Sequence, residues 1–153
     1  MIVVSDTSVI TSLIHIGHLD LLQKLHGKIL IPPVVQQELF RAHQALPAFL
    51  EVRDAADRQM VARLEAELDL GEAEAIVLAK ETKADLLLID EKLGRRVAAR
   101  EGVRIAGLLA LLVEAKHRRL IKSVREFVGQ LESNAGFRVS DAVKSESFRE
   151  ANE

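Results

Sequence analysis

At 153 residues, with 48% apolar and 29% charged side chains and a formal net charge of −2, the chain reads as one soluble globular domain with a sizeable core. No Cys excludes disulfides, thiolate metal sites and a Cys nucleophile, and it fits a cytoplasmic location. Aromatics are 3%, with neither Trp nor Tyr, so the core is aliphatic and the composition counts against aromatic stacking platforms for single-stranded bases.

The chain opens on a β-branched run, Ile2 to Val4, that ends abruptly on Asp6, Thr7 and Ser8. With no polar alternation, this predicts a strand covered on both faces, as in a parallel sheet. Thr7 and Ser8 are expected to cap a helix beginning at Val9. The run has no basic region before it and is too short for a signal peptide. Val9 to Ile16 and Leu19 to Leu25 read as two short helices parted by Gly17. Lys28 to Ile31 is a second strand, which Pro32 and Pro33 stop. Pro33 suits the first turn of a helix over about Val34 to Ala42. Leu46 to Asp54 reads equally as an edge strand or an irregular piece, and Ala55 to Leu68 as a charged helix.

Beyond Gly71, Glu72 to Glu81 forms an Ala-rich helix, and Leu86 to Ile89 is a buried strand ending on Asp90 and Glu91. A basic helix, Lys92 to Arg100, leads through Gly102 to a short strand near Val103 to Ile105. Helices over Leu108 to Lys116 and Val124 to Leu131 follow. This divides the chain into a domain over 1–132 and a polar tail over 133–153, whose few apolar anchors suggest a marginal helix ordered by a partner. No apolar run is long enough to span a membrane. Strands alternating with helices predict an α/β fold, a three-layer α/β/α sandwich around a central parallel sheet.

Charge is unevenly placed. From Lys92 to Arg125 the chain carries ten Lys and Arg against only Glu101 and Glu114, a segment that could hold a phosphate backbone on one face or simply be solvated helix.

Four acids stand out by context. Asp6 and Asp90 each end a buried strand, which puts both at the same edge of a parallel sheet, where open α/β sheets place their sites. Glu38 lies among Val34, Val35 and Leu39 in the helix after the second strand. Glu72 opens the Ala-rich helix in line with Ile76 and Ala79. Taken singly, each has an ordinary structural use as a cap, a dipole partner or a solvent-facing group. Gathered at one edge they would repel, and the usual compensation is a hard cation, Mg²⁺ or Mn²⁺, held through oxygen ligands. Such an ion serves phosphoryl chemistry. No Ser-His-Asp arrangement and no Gly-rich phosphate loop competes with this reading.

In order, VVSDTS, PPVVQQEL, LGEAEAIVLA and LLLIDEKLGRR resemble the PIN domain, the metal-dependent nuclease fold of VapC-type toxins, over about Ile2 to Lys116. The resemblance implies Asp6, Glu38, Glu72 and Asp90 as catalytic metal ligands, with Ser8 in support. The third acid of that pattern stands eighteen residues before the fourth, which lands on Glu72. The usual residue there is Asp, so Glu74 is kept as a fallback, and Glu91 stands for a further acid just past the fourth. Arg95, Arg96 and Arg100 are the implied guides for an RNA backbone. The resemblance further implies an endoribonuclease that is the toxin of a type II toxin–antitoxin pair, with a cognate antitoxin and a homodimer. The alternatives are a catalytically silent PIN-fold binding module and a nuclease acting on DNA.

Overall fold

The computed structural model describes residues 1–43 and 45–153. Five parallel strands form one sheet: β1 (Val3–Ser5), β2 (Ile29–Ile31), β3 (Leu50–Val52), β4 (Leu86–Leu88) and β5 (Ile105–Ala106), in the order β3-β2-β1-β4-β5. Nine helices among the described residues surround it: α1 (Thr7–His15), α2 (Asp20–His26), α3 (Pro33–Ala42), α4 (Arg58–Leu64), α5 (Leu70–Glu81), α6 (Lys92–Arg100), α7 (Leu108–His117), α8 (Val124–Asn134) and α9 (Asp141–Glu150). The expected α/β sandwich is therefore present. Residues 46–54 resolve into β3, whose last residue, Val52, is exposed, as suits an edge strand.

Strand parity builds the two cores. Val3, Ile29, Ile31 and Leu88 point to one face, where α1, α2, α3, α7 and α8 cover them. Their neighbours Val4, Leu30, Leu87 and Ile89 point to the other, beneath α4, α5 and α6. The chain leaves β1 toward β2 on one side and later returns to lay β4 on the other. The order thus reverses beside β1, and a crevice opens at the carboxyl end of such a reversal.

The beginning of α1 departs from expectation. The helix starts at Thr7, and its N-cap, Asp6, makes no side-chain capping bond. Thr7 and Ser8 are therefore not caps. The Thr7 hydroxyl instead donates to Glu38 Oε2 at 2.7 Å. The stretch 133–153, read as a polar tail, folds back on the domain. Through it run the end of α8 and all of α9, which packs on α7 and α8 with Ala151 buried. Glu153 fixes this return, because its carboxylate accepts from Lys116 Nζ (3.0 Å), Ser123 Oγ (3.0 Å) and the Val124 N–H (2.6 Å). No described helix is long and apolar enough to cross a membrane.

Candidate active site

Asp6 leaves β1 with its N–H donating to Leu88 O at 3.0 Å, so the end of the sheet fixes its backbone. Its parity is that of Val4, which sends the side chain toward α5. There Gly71, in the first turn of α5, lies against the acids. A Cβ at that position would meet Glu38 Oε1 at 3.0 Å, Asp69 Oδ1 at 3.6 Å and Asp6 Oδ1 at 3.7 Å. The absent side chain leaves a small space ringed by three carboxylates. Asp69 caps α5, its Oδ1 accepting the Glu72 N–H at 2.8 Å. Glu38, one turn from the end of α3, is held by Thr7.

Charge is frustrated here. Burial pushes the Asp6 carboxyl up to about 7; the Thr7 N–H it accepts opposes this, while Asp69, Glu38 and Glu91 add repulsion. Burial likewise lifts Glu72 to about 7, helped by the charge of Asp69, a side-chain hydrogen bond with it, and the charge of Asp6. The cleft over these groups is lined by Asp6, Thr7, Ser8, Thr11, Ser12, Glu38, Asp69 and Glu91. Beside it the Ser8 hydroxyl is buried with no hydrogen-bond partner among the described residues. Of the two candidates for the third acid, Glu72 is the one electrostatically joined to Asp6. Glu74 turns to α4, where Arg58 Nη2 reaches it at 3.2 Å.

Asp90 is not brought into this cluster. By the register that pairs Ser5 with Leu88, Asp6 stands beside Ile89, and Asp90 falls one residue further on with the opposite parity. Its Oδ1 accepts the Leu108 N–H at 3.2 Å at the start of α7, on the β5 side of the sheet edge. Glu91, the next residue, is the one that lines the acidic cleft. Asp69 was missed by sequence reading, although an Asp immediately before a helix and three residues ahead of Glu72 was a visible cap signal. The arginines also part company. Arg95 lines a neighbouring cavity with Asp90, and Arg96 is exposed. Arg100 is committed to Glu67 by two bonds of 2.6 and 3.1 Å. The basic segment is therefore not one face: Arg104 lies with Met1 and Asp85 around another cavity, while Lys116 and Arg118 hold Glu153 and Glu114.

All available donors in the cleft are carboxylate and hydroxyl oxygens, the set that suits a hard divalent cation. Among the described residues no three acids close on one point tightly enough to enclose a bare ion. A Mg²⁺ ion that kept several of its waters would need only one or two of these carboxylates. Gly71 lets the acid oxygens draw together, and the Ser8 hydroxyl, without a partner among the described residues, is a further oxygen donor beside them.

No curated protein matches the chain. A family model described as a PIN domain does match, over residues 2–153, and with that nearly end-to-end match the parallel sheet carrying buried acids at its carboxyl edge belongs to the PIN-domain family, whose members are generally nucleases.

Proposed function

We propose that the protein is a divalent-cation-dependent endoribonuclease that cleaves RNA phosphodiesters in the cytoplasm. The observation that carries this reading is the ring of Glu38, Asp69 and Asp6 oxygens around the space left by Gly71. Three acid oxygens gathered over a buried floor, with no cationic side chain lining their cleft among the described residues, call for a cation from outside. When bound, Mg²⁺ or Mn²⁺ supplies an activated water and neutralises charge developing on the phosphoryl group.

The chain's own residues do the positioning. Asp6, Glu38, Asp69 and Glu72 provide the ligand oxygens. Thr7 orients Glu38, and the Asp69 cap fixes the first turn of α5, where Glu72 sits. Ser8 offers its hydroxyl to a water in the cleft, and Glu91 closes the rim. Asp90 stands on the substrate side of the edge, with one carboxylate oxygen committed to α7. The role of toxin, a cognate antitoxin and a homodimer are part of the proposal on the strength of the motif resemblance.

The test is cleavage of labelled single-stranded RNA and DNA by the purified chain with Mg²⁺, with Mn²⁺ and with EDTA, beside Asp6→Asn. Ion-dependent RNA cleavage that the variant loses supports the proposal. Equal cleavage by the variant, or no turnover of any RNA, overturns it. A small adjacent reading frame encoding a protein that binds this chain and stops cleavage supports the toxin assignment.

A further inference from the structure

A second concavity lies across β4 from the acidic cleft. It has a volume of about 450 Å³, within the ~300–1,000 Å³ range of ligand pockets. Four parts of the chain wall it: the start of α6 with Lys92 and Arg95, the start of α7 with Gly107 and Leu109, the segment Phe137 to Val139 between α8 and α9, and α9 itself with Val143, Ser147 and Glu150. Its chemistry is mixed in an orderly way. Phe137 and Leu109 give it an apolar wall, and Phe137 is partly buried against the core, so its ring is held in place.

Lys92, Arg95 and Arg138 supply positive charge, and among the described residues none of the three forms an ion pair. Arg138 is braced by backbone carbonyls, donating to Phe137 O at 3.2 Å and Glu132 O at 3.4 Å, which fixes the guanidinium without neutralising it. Arg95 is admitted by Gly107, since a Cβ there would lie 3.2 Å from its Nη1 and 2.8 Å from Asp90 Oδ1. Asp90 and Glu150 are the two acids in the lining.

A bare anion site would not need the ring or tolerate the acids, and an apolar peptide groove would not gather three cations. A nucleotide uses all of it. Its base has an apolar face for Phe137 and N–H donors for Asp90 or Glu150, and its phosphate answers Lys92, Arg95 and Arg138. Position adds to this, because Asp90 and Glu91 are adjacent in the chain and open one into each concavity. A strand with one phosphate at the acidic cleft needs only to cross the end of β4 to place a neighbouring nucleotide in the cavity. The scarcity of aromatics rules out an array of stacking platforms, but one base needs one ring.

We propose that this cavity is a nucleotide subsite that holds one base and its phosphate beside the scissile bond of a single-stranded substrate. The inference rests on the nuclease reading for its substrate, but its test does not depend on turnover. The probe is a short fluorescein-labelled single-stranded RNA, titrated with the full chain in EDTA and followed by fluorescence anisotropy. Phe137→Leu keeps apolar volume against the core and removes the ring. Arg138→Gln, at an exposed position, removes one charge.

Each variant is expected to raise Kd about tenfold. Arg138→Gln should also flatten the dependence of log Kd on log salt by about 0.7, the contribution of one phosphate on a single strand. Replacing bases by abasic sites should erase the effect of Phe137→Leu, which a merely structural role of the ring would not do. Wild-type affinity and salt slope in both variants would overturn the proposal. Displacement of the RNA by an acidic peptide, but not by a nucleoside monophosphate, would overturn it in favour of a protein partner. If the wild type binds with these dependences but cleaves nothing, only the nuclease reading fails. If it cleaves RNA and neither variant changes binding, only the subsite fails.

Discussion

Asp6→Asn separates the two things Asp6 does. In the free protein an ionised Asp6 is buried beside Asp69, Glu38 and Glu91, and its pKa rises from 3.8 to about 7. A carboxyl with a raised folded pKa weakens the fold as pH climbs from about 4 through about 7, because the unfolded chain ionises it freely. At about 1.4 kcal/mol per unit, this rise of about three units corresponds to a penalty of about 3–6 kcal/mol above pH 8, allowing for an error of a unit. Asn has the same shape and accepts the same Thr7 N–H, but it carries no charge. In EDTA at pH 8.5, Asp6→Asn should therefore be more stable to urea than wild type by about that amount. The gain should shrink steadily toward pH 4. With saturating Mg²⁺ the order should narrow, because an ion present at 100 times its Kd adds about 2.7 kcal/mol to the protein that binds it and little to the variant. Cleavage should be lost throughout. An unchanged or lower stability of the variant at pH 8.5, with no dependence on pH, would refute the reasoning even if activity vanished.

Gly94, inside α6, tests the floor of the site. A Cβ there would stand 2.5 Å from Glu72 Oε2 and 2.7 Å from Ile89 Cδ1, so Gly94→Ala must relieve both contacts and displaces the Glu72 carboxylate. The overpacking cost of about 1–3 kcal/mol is offset by about 1 kcal/mol of helix propensity, leaving a folded protein with slow ion-dependent cleavage. A higher Tm with normal cleavage would show that Glu72 is not held as described. Glu153→Gln addresses the return of the chain end. Burial raises this carboxyl, but the Val124 and Arg125 N–H groups, Lys116 and Ser123 outweigh it and bring it down to about 2. A depressed pKa stabilises above about 4.5 and is lost as pH falls through about 2, so wild type should exceed the variant by about 1–2 kcal/mol at pH 7 in urea denaturation and converge with it in acid. Arg100→Ala should leave RNA affinity unchanged in the anisotropy titration, because its guanidinium is spent on Glu67.

The sequence made most elements legible because their signals are local. Apolar runs marked β1, β2 and β4; the two prolines marked the start of α3; the Ala-rich pattern marked α5. What escaped was of another kind. Thr7 and Ser8 have the side chains of caps, but a cap is chosen by where partners lie, and Glu38 comes to Thr7 from another helix. The run 133–153 reads as polar because its apolar contacts are few, chiefly Phe137, Phe148 and Ala151, and polar contacts such as those of Glu153 also tie it to α7 and α8. Asp69 escaped because its cap role, itself visible, hid its second face toward Asp6.

The treatment of Asp6 and Asp90 shows the physical limit most plainly. Both end buried strands, and both stand at the carboxyl edge, as expected. What chain position cannot give is the relative register of two strands that are far apart in sequence. Pairing Ser5 with Leu88 sets Asp6 opposite Ile89, and that single residue of offset sends the two carboxylates to opposite faces. One faces α5 and the crowded acids; the other faces α7 and Arg95. The same offset gives the edge two kinds of surface within a few residues. An acidic cleft lies on one side of β4, and on the other a cavity whose Lys92, Arg95 and Arg138 form no ion pair among the described residues. For a polyanion whose scissile phosphate must approach carboxylates, this matters electrostatically. The repulsion at the cleft falls when a divalent ion is bound, and the flanking phosphate is drawn by Lys92, Arg95 and Arg138. A shift of one residue in the β1–β4 register would move Asp90 into the acids and leave the basic cavity without its edge.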